Sequence, residues 1–189
     1  MQIRVARVGD AAAIAPVYVE SWRNAYAGLM PNAILTGMSL SKQRRRWVSQ
    51  IASGDTVMVA DHPTHGIVGV GSCGLCRDAR FAGYGEVYTL YLLPDWQDLG
   101  HGRELLAAML RAMRSAGFDA AVLWVLARNP SRFFYEAMGG ERVAEREEQL
   151  WGTTLPEIAY EWRPLPQPLL LGRSGLAEDD GSLQTDGGS

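Results

Sequence analysis

The chain reads Glu86-Val-Tyr-Thr-Leu-Tyr-Leu-Leu-Pro-Asp-Trp-Gln-Asp-Leu-Gly-His-Gly102 and then Arg103-Glu-Leu-Leu-Ala-Ala-Met-Leu-Arg-Ala-Met-Arg114 at the point that decides its fold. The apolar run before the proline predicts a buried strand, and the later apolar positions, three and four residues apart, predict an amphipathic helix. Gly100 and Gly102 lie in the turn between them. Because glycines keep side chains out of such a turn, its backbone N–H groups and the positive end of the helix can face an anion such as a phosphate. The alternative is a tight turn that binds nothing.

The spacing of this turn excludes two common phosphate-binding motifs. A dinucleotide-binding fingerprint needs a third small residue where Leu105 stands, and the chain has no Gly-Lys-Ser/Thr run to complete a Walker A loop. The pattern is instead Gln97-x-x-Gly100-x-Gly102. It resembles the acyl-CoA loop of the GNAT superfamily of N-acetyltransferases, in which Gln/Arg-x-x-Gly-x-Gly/Ala follows a strand and precedes a helix.

The composition is that of one globular domain. Of 189 residues, 47% are hydrophobic and 21% charged, which is enough apolar material for a substantial core. A net charge of -3 argues against a nucleic-acid-binding surface, and the basic run Lys42–Arg46 is typical of a solvated helix face. No apolar run approaches the ~20 residues of a membrane span, and the N-terminus lacks the apolar core of a signal peptide. We therefore expect a soluble cytoplasmic protein, as a monomer or a homodimer.

The remaining elements predict a mixed α/β domain over residues 1–163. Alternating and continuous apolar runs predict strands at 3–8, 56–60, 66–75, 86–93, 120–126, 142–151 and 155–162. Apolar periodicity with capping residues predicts helices at 10–26, 32–52, 102–116 and 130–138. Residues 164–189 are rich in Pro, Gly, Ser and acidic residues, which predicts a flexible tail.

Two further segments extend the GNAT resemblance to residues 3–163. The stretch Asn129-Pro-Ser-Arg-Phe-Phe-Tyr-Glu-Ala-Met-Gly-Gly140 resembles the Asn and Phe-Tyr-Glu-x-x-Gly signature of the family. The stretch Ser21-Trp-Arg-Asn-Ala-Tyr-Ala-Gly-Leu-Met-Pro31 is similar to the acceptor-side helix of a bacterial branch of small GNAT enzymes. The resemblance implies a central, mostly antiparallel sheet whose fourth and fifth strands splay apart, flanked by helices.

The same resemblance implies an acetyl-CoA site. The residues that it implicates are Leu92, Leu93, Gln97, Asp98, Leu99, Gly100, His101, Gly102, Arg103 and Asn129. Asp98 departs from the family pattern, since many relatives carry Gly or a basic residue there, and we expect its carboxylate to point outward or to weaken cofactor binding. For Arg103 the alternative is a solvated arginine in the first turn of the helix, and for Asn129 it is a simple helix cap.

Direct attack of an amine on a thioester needs a base for the amine, a polarised carbonyl and a proton for the leaving thiolate. Glu86 is the predicted base because it precedes Gln97 by eleven residues, the spacing of the general-base glutamate in the histone-acetylating branch of the family. The resemblance implies that backbone around Leu92 polarises the carbonyl and that Tyr135 protonates the thiolate. The alternatives are an exposed strand-end carboxylate for Glu86 and a core aromatic for Tyr135.

The sequence identifies the acceptor substrate much less clearly than the acyl donor. Trp22, Tyr26 and Tyr88 are candidates for the acceptor wall, although aromatic residues at helical spacing also form cores. The sequence therefore predicts an acetyl-CoA-dependent N-acyltransferase for a small-molecule or peptide amine, with no metal and no covalent enzyme intermediate. Within the same fold, the alternative is a non-catalytic or different acyl-CoA binder.

A rival from another class rests on Cys73-Gly-Leu-Cys76 and His62-Pro-Thr-His65. A redox pair normally opens a helix, but here a strand leads into Cys73 and no helical pattern follows Cys76. A zinc site would have to join His65 to Cys73, which lies eight residues along the strand. This is a span of roughly 26 Å at ~3.3 Å per residue. The distance is too long for both side chains to bind one zinc ion. Gly69, Gly71 and Gly74 in this strand are interpreted as positions of close approach.

Overall fold

The structure is a computed structural model, and it describes residues 1–150 and 152–165. Its strands are β1 (Gln2–Val5), β2 (Thr56–His62), β3 (Gly66–Leu75), β4 (Gly85–Leu92), β5 (Ala121–Leu126), β6 (Glu141–Leu150) and β7 (Thr153–Trp162). Its α-helices are α1 (Ala11–Ala25), α2 (Asn32–Thr36), α3 (Leu40–Ala52), α4 (His101–Ser115) and α5 (Arg132–Ala137). Short 3-10 turns lie at Val8–Asp10, Ala79–Phe81 and Pro94–Trp96. Among the described residues, no helix has both the length and the apolar character to cross a lipid bilayer.

The strands form one sheet in the order β1-β2-β3-β4-β5-β7-β6. Every neighbouring pair is antiparallel except β4 and β5, which are parallel. Two parallel neighbours require a crossover connection, and α4 supplies it between β4 and β5. The predicted mixed α/β fold with a mostly antiparallel sheet is confirmed.

Helices cover both faces of the sheet. The apolar face of α4, including Leu105 and Met109, is fully buried against the sheet. Ile14 of α1 and Trp47 of α3 lie in a second apolar cluster, on the opposite face. A Cβ added to Gly71 would lie 2.7 Å from the Met109 sulfur, so this glycine lets α4 approach β3 closely. The interpretation of the β3 glycines as close-approach positions is confirmed.

The predicted helix over residues 32–52 is two helices. The first, α2, ends at Thr36, and Ser39 has an extended backbone before α3 begins. The Ser39 Oγ accepts a hydrogen bond from the Lys42 backbone N–H at 3.4 Å, which makes Ser39 the N-cap of α3.

Leu165, two residues after the boundary predicted at residue 163, packs against the domain. Leu165 is buried in the core beside α4, with 1% of its surface exposed. Its backbone N–H donates to the Asp119 carbonyl at 2.9 Å, and its carbonyl accepts from the Arg114 guanidinium at 2.8 Å. These contacts anchor the chain at Leu165. The rest of the predicted tail, residues 166–189, lies outside the described residues.

Candidate active site

A gap between β4 and β5 opens the middle of the sheet. The two strands pair only at Gly85 with Ala121 and at Glu86 with Val122, and they separate beyond these pairs. The pairing of β3 with β4 is also irregular here. Ser72 pairs with Thr89 and the next β3 residue pairs with Val87, so Tyr88 is an extra residue in β4 without a partner position on β3. Such a bulge bends the strand that carries it. The predicted splay of strands four and five is confirmed.

A cavity of about 920 Å³ occupies this gap, a volume typical of small-molecule sites. It has two parts. The α4 arm is lined by the loop before α4 and by α5, and the α1 arm is lined by α1 and the turn that follows it. Residues of β4 and β5 line the cavity between the arms. Because α1 and α4 cover opposite faces, the cavity connects one face of the sheet with the other.

The α4 arm begins at the glycine turn. Gly100 has φ +86° and serves as the N-cap of α4, a left-handed conformation that favours glycine. The first N–H groups of a helix lack partners within it, and they carry the positive end of the helix dipole. Gln97, Gly100, Gly102 and Arg103 line the cavity here. Since no Cβ stands at 100 or 102, the turn can accommodate an anion against the backbone.

Asp98 has φ +57° and, like Gln97, lines the cavity. Its side chain is exposed, so water can solvate the carboxylate. Leu92 also lines the cavity, and its carbonyl accepts a hydrogen bond from Gln97 Nε2 at 3.0 Å, which ties the end of β4 to the loop. Leu93, Leu99 and His101 were also predicted to contact a cofactor, but they are not among the lining residues.

Two positive charges line the cavity on either side of this turn. Arg103 lies in the first turn of α4, and Arg128 follows β5. The sequence motifs did not identify Arg128, although its position directly before Asn129 was a usable signal. Together with the helix N-terminus, the two guanidinium groups give this arm a positive potential that suits a diphosphate.

Asn129 and Tyr135 form the other wall of the α4 arm. Asn129 is buried, and its Oδ1 accepts from the Ser131 backbone N–H at 2.9 Å, as a capping residue does. Tyr135 is buried on α5 and lines the cavity. Burial raises the pKa of Tyr135 well above that of free tyrosine, so the phenol keeps its proton at neutral pH. Its hydroxyl has no hydrogen-bond partner among the described residues. Phe133 and Phe134, which no prediction singled out, also line this wall.

Glu86 stands at the closed end of the gap. It belongs to the last residue pair that joins β4 to β5, and its carboxylate accepts from the Arg77 backbone N–H at 2.8 Å. The side chain is not among those that line the cavity. Any proton transfer between this carboxylate and the cavity therefore passes through an intervening group or water.

The α1 arm is aromatic. Tyr26, Tyr88, Tyr91 and Trp124 line it, and the hydroxyls of Tyr26 and Tyr91 lie 3.4 Å apart. The predicted acceptor residues Tyr26 and Tyr88 are thus brought together at the cavity. Trp22 is not, because it packs in an apolar cluster below Tyr26, with 4% of its surface exposed.

Two polar atoms of the α1 arm have no partner. Ser21 Oγ and Trp124 Nε1 are both buried, and neither makes a hydrogen bond to any described residue. Ser21 and Trp124 line the cavity, as does Asn24. The sequence analysis did not identify them, because a serine on a helix and a tryptophan in a strand give no local signal of lining a cavity.

The cysteine and histidine residues do not converge. Cys73 is buried under α4, where its thiol contacts the Met109 carbonyl, and burial raises the pKa of Cys73 to about 12. His62 and His65 stack with Trp96 at the β2–β3 turn. Among residues 1–150 and 152–165, no group of three or more His, Cys, Asp or Glu is positioned to hold a metal ion.

Comparison with known proteins finds a matching family model and a similar protein. The model of the acetyltransferase (GNAT) family matches residues 18–140. The chain is 34% identical over 163 residues to the uncharacterized N-acetyltransferase YuaI of Bacillus subtilis, covering 86% of this chain and 93% of that protein.

Solved structures share the fold at low identity. The ribosomal-protein-alanine N-acetyltransferase from Brucella melitensis superposes with a TM-score of 0.69 at 22% identity, over 86% of this chain and 99% of its own. The putative acetyltransferase yncA from Salmonella typhimurium, solved with its cofactor acetyl-CoA, gives 0.65 at 22% identity, over 89% and 95%. These structures show a shared fold. The family match over residues 18–140 and the 34% identical relative show that this chain belongs to the GNAT family of acetyltransferases.

Proposed function

We propose that this protein transfers an acetyl group from acetyl-CoA to a primary amine by direct attack. The observation that carries the proposal is the continuous cavity between β4 and β5. It joins a helix N-terminus that can accommodate an anion, on one face of the sheet, to an aromatic arm on the other. A donor that enters from α4 and an acceptor that enters from α1 would meet between the strands, in the geometry that transfer requires.

The residues of the α4 arm fit the donor. The free N–H groups at the start of α4, with Arg103 and Arg128, would hold the diphosphate, and Gly100 and Gly102 would let it approach the backbone. Asn129 would contact the pantetheine arm with the part of its amide that does not cap the following turn. These roles agree with the CoA or acetyl-CoA that several structural neighbours contain.

The gap itself supplies the polarising groups. Beyond Glu86, the N–H groups of β4 that face β5 lack the partners that a continuous sheet would give them. A thioester carbonyl placed near Leu92 would accept a hydrogen bond from such a group, which stabilises the oxyanion as the amine attacks.

Proton transfer is assigned to Glu86 and Tyr135. As the new C–N bond forms, Glu86 accepts the amine proton through a water molecule, since its carboxylate does not line the cavity. When the C–S bond breaks, Tyr135 donates its proton to the thiolate. The support for this role is the unpartnered, protonated phenol in the cavity wall.

The proposal is tested by CoA binding and by turnover. Addition of CoA is expected to raise the Tm, and an acetyl-CoA turnover screen against a library of amines is expected to release CoA thiol with at least one acceptor. A protein whose Tm does not respond to CoA would contradict the proposal. Binding without turnover of any amine would favour the alternative of a non-catalytic acyl-CoA binder.

A further inference from the structure

We infer that the acceptor is a neutral amine next to a carbonyl group, such as the α-amino terminus of a peptide, and that Ser21 is a specificity-determining residue for it. The inference rests on the proposed acetyl transfer and concerns the α1 arm alone. Ser21 begins the segment that is similar to the acceptor-side helix, but the sequence pattern gave it no role of its own.

The first observation is that the α1 arm carries no charge. Its described lining residues are Ser21, Asn24, Ala25, Tyr26, Ala27, Leu29, Tyr88, Thr89, Tyr91 and Trp124. The charged residues that line the cavity, Asp98, Arg103 and Arg128, belong to the loop before α4 and to the segment between β5 and α5. An ammonium group bound in the α1 arm would lose water without gaining a carboxylate partner, which is costly.

The carboxylates near this arm are already engaged. Glu157 on β7 is bound by the Arg146 guanidinium at 2.7 Å, and Glu86 accepts the Arg77 backbone N–H. On α1, the Arg23 guanidinium donates to the Leu35 carbonyl at 2.8 Å, and Glu20 is exposed. Burial raises the pKa of the Tyr26, Tyr88 and Tyr91 phenols, which therefore stay neutral.

Two of the four aromatic rings of the arm already face a cation. The Arg77 guanidinium lies 3.5 Å from the centroid of the Tyr88 ring, and the Arg146 guanidinium lies 4.2 Å from that of Trp124. Each guanidinium repels a second cation that approaches the same ring. With no carboxylate among the lining residues of the arm, this repulsion favours amines that arrive without a proton.

The second observation is the pair of unpartnered polar atoms. Ser21 is 2% exposed, and its Oγ lacks a hydrogen bond; the Trp124 Nε1 is also buried without one. An unpaired buried polar group destabilises a protein, and a site that leaves one open rewards a ligand that pairs with it. The indole N–H only donates, so it requires an acceptor oxygen. A carbonyl adjacent to the amine supplies one, which is the arrangement at a peptide N-terminus.

The two amine classes differ strongly in their neutral fraction. An α-amine with a pKa of about 8 is about one quarter neutral at pH 7.5, whereas a lysine-like amine with a pKa of about 10.4 is neutral at about one part in 800. Selection of the neutral form alone therefore favours the α-amine about 200-fold at pH 7.5 and about 25-fold at pH 9.

The test uses alanyl-lysine amide in two forms, one acetylated at the lysine side chain and one acetylated at the N-terminus. The form with the free α-amine is expected to show a kcat/KM at least about 100-fold higher at pH 7.5, and the gap should narrow toward pH 9. Ser21→Ala should raise the acceptor KM about tenfold with the KM for acetyl-CoA unchanged.

Ser72 provides a matched control. Its Oγ is also fully buried without a partner, but it lies on β3 and does not line the cavity. Ser72→Ala should leave the acceptor KM unchanged. An enzyme that binds acetyl-CoA and prefers the side-chain amine, acetylates neither peptide, or responds equally to both substitutions overturns the inference. Failure to bind acetyl-CoA would instead overturn the proposed function.

Discussion

Gly102 is the position where cofactor binding can be separated from folding. A Cβ at residue 102 would lie 3.5 Å from Leu92 Cδ1 and 3.5 Å from Phe134 Cζ, which is ordinary van der Waals contact. Valine also has a somewhat better helix propensity than glycine. We therefore expect Gly102→Val to fold with a free energy of unfolding within about 1 kcal/mol of the wild type.

The same side chain would occupy the space above the first amides of α4. If it prevents one or two charge-assisted hydrogen bonds to the diphosphate, at about 1.5–3 kcal/mol each, the binding free energy falls by about 3 kcal/mol. This corresponds to an increase of about 150-fold in the Kd for CoA.

Thermal unfolding measures this loss. At a CoA concentration of 100 times the wild-type Kd, ligand stabilisation is about 2.7 kcal/mol for the wild type and about 0.3 kcal/mol for the variant. For a domain of this size these values correspond to Tm increases of about 5–10 °C and about 1 °C. Titration calorimetry gives the Kd values directly.

The matched control is Gly9→Val. Gly9 lies in a short 3-10 turn, has no atom within 4 Å of an added Cβ and is not among the cavity-lining residues. Its substitution should leave CoA affinity unchanged. A folded Gly102→Val protein that keeps wild-type affinity for CoA would refute the assignment of the α4 N-terminus as the diphosphate site.

Four further predictions concern chemistry and stability. Glu86→Gln should lower kcat/KM about 10²–10⁴-fold and remove the acidic limb of the pH–rate profile, with CoA affinity unchanged. A variant that keeps both its kcat/KM and the acidic limb would show that another group is the general base. Tyr135→Phe should lower kcat about tenfold, and less at high pH, where the thiolate leaves without help; a loss independent of pH would argue against proton donation. Leu165→Ala should lower the free energy of unfolding, measured by urea denaturation, by about 3 kcal/mol. Leu75→Ala is the control: its side chain is 61% exposed, and the free energy of unfolding should change by less than about 0.5 kcal/mol. Hydrogen bonds from Arg80 lower the pKa of Asp78 to about 2 from an ordinary 3.8. The stability that the Asp78 carboxylate adds is therefore present above pH 3.8 and is lost as the pH falls toward 2. The difference in free energy of unfolding between the wild type and Asp78→Asn should narrow over that range.

Patterns that act over a few residues were readable in the sequence. The glycine turn after β4 was predicted because a left-handed N-cap at Gly100 and an amphipathic helix are both local properties. Buried strands were predicted for the same reason, and the strand before Cys73 argued against a redox motif at Cys73 and Cys76. The resemblance over residues 3–163 added the mostly antiparallel sheet with splayed fourth and fifth strands, which periodicity alone does not provide.

The identity of the cavity wall depended on tertiary structure. The bulge at Tyr88 and the short pairing of β4 with β5 decide which side chains of β4 face the gap, and Glu86 lies just outside it. In the same way, Trp22 lies in the core while Trp124 lines the cavity. A side chain's face depends on register, and register is set by partners far away in sequence.

The sequence by itself predicted the fold family and the proposed donor end of the site, because both rest on a contiguous strand, turn and helix whose backbone groups would bind the diphosphate. Only the tertiary structure decided the acceptor end, the reach of Glu86 and the place of Leu165. The first and the last of these depend on segments that are far apart in the sequence: α1 and β5 both line the α1 arm, and residue 165 packs beside α4 at the C-terminal anchor. Such contacts carry no local pattern, since apolar and small polar residues occupy core and cavity wall alike.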